Sequence, residues 1–210
     1  MRKKNMSKQF KKYMSQLLES IYLNNGVFRN LSYHEQRMRK SMRDLFDLEM
    51  TIELSTLLTG MKFPLTGLYK TRIIYDAEIR KIEFVPYVVN PVRSLKLVHS
   101  DGISYEHKFL DRSSLNSLYD QRGKSDDVLM LKNGFIMDTY YANIIFKKDN
   151  LWYTPKHYLL KGTMRQYLLE KGMIWEAVID ENNYTQYQSC KLINSMLAMD
   201  AEEISIELVI

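Results

Sequence analysis

Four turn signals constrain this chain more than any other feature. Asn24–Asn25–Gly26, Asp101–Gly102, Asn133–Gly134 and Asp149–Asn150 each break a run of apolar and β-branched residues. Asn, Asp and Gly accept the positive φ that tight hairpin turns demand, so the flanking runs are expected to pair as strands. "LLESIYLNNGVFRNL" reads as strand, turn, strand, and "GLYKTRIIYDAEIRKIEFVPYV" as two antiparallel strands turning near Asp76 and Ala77. "RSLKLVHS" is a further strand, and "DDVLMLKNGFIMDTYYANIIFKKDNLWYTP" gives three short ones.

Helical spacing fills the intervals. "SYHEQRMRKSMRDLF" sets Met38, Met42 and Leu45 on one face, with Ser32 as N-cap and Glu35, three residues on, closing a capping box. "MTIELSTLLTGM" is a second helix, "RSSLNSLYDQRG" an amphipathic helix stopped by Gly123, and "TMRQYLLEKG" a helix ended by Gly172. Strands follow through "CKLINSM" and "ISIELVI". Pro86, Asn90 and Pro91 punctuate the middle, which divides the chain into a small α/β lobe, residues 1–88, and a strand-rich lobe, residues 89–210. The class is α+β, the second lobe a curled sheet or distorted barrel flanked by helices.

Composition excludes several function classes. With 45% hydrophobic residues, 210 residues suffice for a real core. The single cysteine, Cys190, leaves no disulfide and no CxxC pair, which fits the reducing cytoplasm. His34, His99, His107 and His157 show no metal-ligand spacing, so no metal is expected. No apolar run approaches the roughly 20 residues of a membrane span, and no signal peptide is legible. The net charge of +5 gathers in the basic leader 1–12, ahead of a start-like Met6. No finger, RNP-like or helix-turn-helix signature accompanies it, so it reads as solvated chain and no nucleic-acid partner is expected.

"SYEHKFLDRSSL" sets Lys108 among apolar residues where a strand hands over to a helix. Alone, such a lysine is most simply one whose stem lies on apolar surface with its head in water. Its neighbours change that reading. In order, the chain carries HxxR at His34–Arg37, K-x-L-x-R at Lys108–Arg112, an acid five residues before Asn143 ahead of an apolar strand, "LWYTP", "LLKGTMR" and "LINSM". No single piece is specific, but the ordered set resembles the class IV aminotransferases, fold type IV enzymes that use pyridoxal 5′-phosphate (PLP). The resemblance runs from about Leu17 onward, over nearly the whole chain.

The resemblance implies a fold type IV enzyme: a small α/β N-terminal lobe and a larger pseudo-barrel lobe that binds the cofactor. It implies that Lys108 carries PLP covalently and then moves the proton at substrate Cα. An amine attacks only when neutral, so its pKa of about 10.4 must fall toward roughly 7–8. Asp138 matches the acid that pairs with the pyridine nitrogen, though relatives usually have Glu, one methylene longer. Arg37 matches the phosphate-binding arginine, while Arg39 and Arg43 read as exposed helical residues. Gly162, Thr163 and Met164 open a helix whose N–H groups and dipole favour the phosphate. Asn194 and Ser195 match a further phosphate-side pair, and Asn143 stands beside the cofactor loop, where its role is contact or turn geometry. Tyr140 and Tyr141 are bulky where relatives have small residues: they narrow the pocket, stack near the ring or face the core. His34 reads as structural.

The family resemblance fixes the cofactor better than the substrate. "HKFLDR" looks like the pattern of aminodeoxychorismate lyase, which releases pyruvate and 4-aminobenzoate, a folate precursor. "LLKGTMR" suits D-amino-acid aminotransferases equally. Ser113 stands where branched-chain enzymes carry a tyrosine five residues after the lysine, which disfavours that branch. A noncatalytic binding protein on the same fold is the remaining alternative. Relatives are typically longer in the first lobe, and they form homodimers, so a homodimer acting on a small-molecule amino substrate is expected.

Overall fold

The computed structural model describes residues 15–210; the leader at 1–12, with Met6, lies outside them. Two compact units are present. One runs to Val88 and takes in His107–Asp111, and the other comprises Val89–Glu106 and Arg112–Ile210. The segment carrying Lys108 thus belongs to the first unit, although it follows Pro91 in sequence.

In the first unit, strands β1 (Leu17–Asn24), β2 (Val27–Phe28), β3 (Leu68–Tyr75) and β4 (Ile79–Pro86) form an antiparallel sheet in the order β2-β1-β3-β4. Asn25 and Gly26 take φ of 47° and 78°, the positive values that the β1–β2 turn demands. Helix α1 (Leu31–Phe46) buries His34, Met38, Met42 and Phe46, a stripe at i, i+4 spacing. Leu17, Ile21 and Ile73 of the sheet pack on that stripe with Leu54 and Leu58 of the short helix α2 (Leu54–Thr59).

The capping box does not form. Asn30, in the left-handed conformation at φ 57°, starts α1 two residues earlier than expected, so Ser32 falls inside the first turn. Glu35 turns outward to Arg39 and accepts the N–H of Leu54 at 2.9 Å, so it caps α2 instead of its own helix.

The second unit holds two sheets. Strands β5 (Leu95–His99), β6 (Asp127–Lys132) and β7 (Phe135–Thr139) form one. The other has the order β10-β9-β8-β11-β12, from β8 (Asn143–Lys148), β9 (Leu151–Pro155), β10 (Trp175–Ala177), β11 (Ser189–Ile193) and β12 (Ile204–Ser205). "DDVLMLKNGFIMDTYYANIIFKKDNLWYTP" therefore yields four strands, not three. Tyr140–Tyr141–Ala142 turns the chain, with Thr139 N–H donating to Ala142 C=O at 2.8 Å, and passes it from one sheet to the other. "ISIELVI" contains only two strand residues before a 3-10 turn at Ile206–Leu208. The chain end then pairs with β5, Leu97 N–H to Ile210 C=O at 2.6 Å and Ile210 N–H to Leu95 C=O at 2.9 Å. Joined at the 140–142 corner and again at the C-terminus, the sheets curl into the distorted barrel.

Its interior is filled by alternate residues of both sheets: Leu95, Leu129, Leu131, Ile136, Ile144, Phe146, Cys190 and Leu192. Ile145 and Ile193 point the other way, onto Met164 and Leu168 of helix α4 (Thr163–Glu170). Burial on both faces explains why "NIIF" is apolar without alternation. Helix α3 (Ser113–Tyr119) runs into a 3-10 turn that ends at Gly123, whose φ of 63° needs no Cβ. Among the described residues, no helix is long and apolar enough to cross a membrane.

Candidate active site

In the first unit the site grows from a charge on the wrong face of a strand. Leu17, Glu19, Ile21 and Leu23 share the core side of β1, and Glu19 is fully buried. A buried carboxylate needs donors, and α1 supplies them one turn apart. His34 Nδ1 lies 2.6 Å from Glu19 Oε2, and Arg37 donates Nε to Oε1 at 2.9 Å and Nη2 to Oε2 at 2.5 Å. Burial pushes the carboxyl pKa up, but Arg37 and His34 more than offset it and hold Glu19 at about 2. For His34 burial lowers the pKa, Glu19 opposes, and the charges of Arg37 and Lys108 lower it further. The net lowering favours the neutral imidazole, and its Nδ1 sits within hydrogen-bond distance of Glu19.

Lys108 lies in an extended link. Its carbonyl accepts Leu18 N–H at 2.9 Å, and Phe109 bridges Leu17. The backbone is pinned to β1 while the half-buried side chain brings its charge within reach of His34. Behind it, His107 Nδ1 lies 3.1 Å from Ser41 Oγ, and Ser41 in turn bonds Tyr75, whose phenol burial pushes well above its usual range. Arg37 and Lys108 thus both bring positive charge to the Glu19–His34 pair.

In the second unit the centre is Asp138, on β7 and 6% exposed. Its Oδ1 accepts Asn143 Nδ2 at 2.8 Å; its Oδ2 accepts the N–H groups of Leu159 at 3.1 Å and Leu160 at 2.9 Å. Burial raises its pKa to about 6 against the pull of Leu160, Asn143, Leu159 and the charge of Arg165. A carboxylate has about four acceptor positions. Three are filled, which leaves one on Oδ1 for a further N–H donor, and a cationic donor there would return Asp138 to the ionised form.

Asn143 does more than shape a turn. It also donates to Leu160 C=O at 3.0 Å, which ties Asp138 to the 159–160 link. Gly162, the N-cap of α4, answers to the same residue. Its backbone is ordinary, φ −69° and ψ 142°, but a Cβ there would stand 1.8 Å from Asn143 Oδ1. Thr163 and Met164 follow as the first, buried, residues of α4, where helical N–H groups lack partners within the helix. Asn194 ends β11's run beside Asn143's strand: its Oδ1 accepts Met196 and Leu197 N–H at 2.8 and 3.0 Å, and its Nδ2 donates to Tyr141 C=O at 3.4 Å. It builds the turn that carries half-buried Ser195.

Of the two tyrosines, Tyr140 is buried and Tyr141 is 62% exposed. Asp138, Asn143 and Gly162 are thus joined by contacts within one unit, with Asn194 tied to Tyr141 in the same unit, as Arg37 and Lys108 are grouped around His34 in the other. Reasoning from the sequence missed Glu19, which fixes Arg37; the signal was a carboxylate in phase with Leu17, Ile21 and Leu23. It also missed Arg165, fully buried, bonded to Pro155 C=O at 2.9 Å and Glu176 at 2.7 Å. Among the described residues, no His, Cys, Asp or Glu group has the arrangement to hold a metal ion.

Comparison with known proteins places this geometry. Residues 96–201 match the family model for amino-transferase class IV. An uncharacterised protein of Haemophilus influenzae is 34% identical over 191 residues, which span 87% of this chain and 98% of that protein. A crystal structure provisionally named a 4-amino-4-deoxychorismate lyase, from Haemophilus somnus, superposes with a TM-score of 0.83. It is 32% identical, over 89% of this chain and 99% of that one. A Schizosaccharomyces pombe protein provisionally named an aminodeoxychorismate lyase is 27% identical, over 78% of this chain and 69% of its own length. The short first lobe is therefore shared by the two Haemophilus relatives.

Proposed function

The chain belongs to the class IV aminotransferases, fold type IV enzymes dependent on PLP, and from that premise we propose that it binds PLP and acts most like 4-amino-4-deoxychorismate lyase. The observation that carries the cofactor reading is Asp138, a buried carboxylate with three donors in place and one acceptor position left. When bound, PLP supplies an electron sink for the charge that develops at substrate Cα.

In this reading Lys108 carries the cofactor through Nζ and, once substrate displaces it, moves the proton at Cα. Its backbone is fixed by the Leu18 N–H bond to its carbonyl, so the side chain starts from a defined point beside β1. Asp138 accepts the ring N–H and keeps the proton on the ring nitrogen. Asn143 and the 159–160 link hold the shorter Asp carboxylate in a fixed orientation. Arg37 takes the phosphate with a guanidinium that Glu19 has already oriented through Nε and Nη2, so little side-chain freedom is lost on binding. Gly162, Thr163 and Met164 offer backbone N–H groups from the α4 terminus. Asn194 and Ser195 complete the phosphate side.

The lyase reading is supported by "HKFLDR" and by the names of the Haemophilus somnus and Schizosaccharomyces pombe relatives. We place the protein in the cytoplasm, as a homodimer, with a small amino substrate as its partner; the lone, buried Cys190 is in keeping with a reducing compartment.

Protein incubated with PLP should gain a visible chromophore that borohydride fixes to the chain. Lys108→Ala should lose the fixed adduct and at least about 10³-fold in turnover, the upper range for a positioned acid–base group. Release of 4-aminobenzoate from aminodeoxychorismate tests the substrate. Colourless protein that ignores PLP would overturn the cofactor reading; a coloured protein that converts D-amino acids and releases no 4-aminobenzoate would replace the lyase by an aminotransferase.

A further inference from the structure

Arg112 stands where structure alone would not put a cation. It is the N-cap of α3, a position that prefers a hydrogen-bond acceptor and lies at the positive end of the helix dipole. Its Nε is buried with no acceptor. Among the described residues it forms no ion pair. Asp127 attracts it through space, without a salt bridge between them. The carboxylate of Asp127 is already engaged by Val128 N–H at 2.7 Å, by Tyr140 N–H and by the Thr139 hydroxyl.

Aromatic rings hold it instead. The guanidinium lies 4.4 Å from the ring centre of Tyr140 and 4.7 Å from that of Tyr141, and Nη2 donates to Tyr140 C=O at 2.5 Å. Tyr140 is itself fixed, stacked on Tyr119 at 4.3 Å and hydrogen-bonded to Asn116 Oδ1. The result is a partly desolvated planar cation, immobilised between buried Tyr140, two residues along the chain from Asp138, and exposed Tyr141. Such a fork matches a carboxylate better than any other common anion except phosphate. Phosphate is already served by Arg37 and the α4 terminus in the reading above.

We infer that Arg112, held on Tyr140 and Tyr141, binds the carboxylate of the amino substrate and so selects acids over their neutral analogues. This rests on the PLP-enzyme reading and deepens it by naming the group that reads the substrate's charge. Tyr141 then supplies a flat apolar face beside the cation, suited to a ring-bearing acid.

The test uses the PLP-loaded protein and two unreactive probes, 4-aminobenzoate and 4-aminobenzamide, which differ in charge and hardly in shape. The acid should bind at least about 10-fold more tightly than the amide. Arg112→Gln should abolish that preference and leave the affinity for PLP and the chromophore unchanged; Arg112→Lys should restore part of it. Equal binding of the two probes by the unaltered protein would overturn the inference even if no variant folds. So would a preference that survives in Arg112→Gln, or a loss of PLP affinity in that variant with the preference intact, which would assign Arg112 to the phosphate. Failure of the unaltered protein to bind PLP is a separate result, and it sinks the cofactor reading.

Discussion

Glu19 and Asp138 are both carboxylates buried in strands, one in each unit, yet the first is held at about 2 and the second rises to about 6. Burial raises both. What differs is the donor set. Glu19 touches a guanidinium and an imidazole, and a full positive charge in contact more than repays desolvation. Asp138 has only an amide and two backbone N–H groups, dipoles that return part of the cost. The first unit therefore stores an ionised pair whose geometry is fixed by charge. The second stores a carboxylate poised to change state when a cation arrives. Under the proposed PLP reading, a group that orients a guanidinium and a group that answers a cationic ring call for those opposite settings.

The sharpest way to break this contrast is Glu19→Gln. Glutamine presents an NH2 donor toward Arg37 or His34 and leaves Arg37 largely buried without a countercharge, a loss of about 3–5 kcal/mol. Chemical denaturation should show it. Because the lesion frees Arg37, the affinity for PLP should fall while that for pyridoxal, which lacks the phosphate, stays the same. Equal losses for both would mean that Glu19 supports the fold and does not orient the anion site.

A pH series separates the units without mutation. For Glu19 the folded value, about 2, lies below the ordinary 4.5, so its contribution is complete above pH 4.5 and disappears as pH falls toward 2. Asp138 is the reverse: its folded value, about 6, lies above the ordinary 3.8, so stability is greatest below pH 3.8 and is lost as pH rises through 6. Asp127, also raised to about 6 by burial, adds in the same direction. Each is worth roughly 3 kcal/mol at about 1.4 kcal/mol per pKa unit. Amide exchange in cofactor-free protein should show β7 protection rising from pH 6 to 4 while β1 holds steady, and β1 protection falling below pH 4. Parallel profiles would erase the distinction.

Gly162→Ala sharpens the comparison from the second side. The added Cβ must displace the Asn143 amide, so Asp138 loses a donor, at about 1–3 kcal/mol. Exchange at Leu159 and Leu160 should quicken, with β1 unaffected. A stability unchanged from the parent would mean that Asn143 has room to move aside.

Much of the architecture was legible because turn chemistry and spacing are local. Asn25–Gly26, Asn133–Gly134 and Asp149–Asn150 turn where expected, and four of these residues besides the glycines take positive φ. The errors arose where two elements compete for one residue. Glu35 could cap its own helix or the next, and only the position of Leu54 decides. "FIMDTYYANIIF" looks continuous, and nothing local shows that Tyr140–Ala142 moves the chain between sheets. Of the candidate site, Lys108, Arg37, Asp138 and Gly162 were picked out by ordered motifs. Arg165 and Arg112 lay inside quoted motifs, but their surroundings were invisible.

The amino-acid sequence by itself determined the hairpins, the helical stripes and the order of residues able to serve a PLP enzyme, since each depends on side chains a few positions apart. Only the tertiary structure decided which carboxylate meets a cation and which meets amides, that Asn143 excludes a side chain at Gly162, and that Arg112 rests on two tyrosines with no ion pair among the described residues. Those outcomes depend on desolvation and on contacts between residues distant in the chain, and neither quantity exists until the chain has folded.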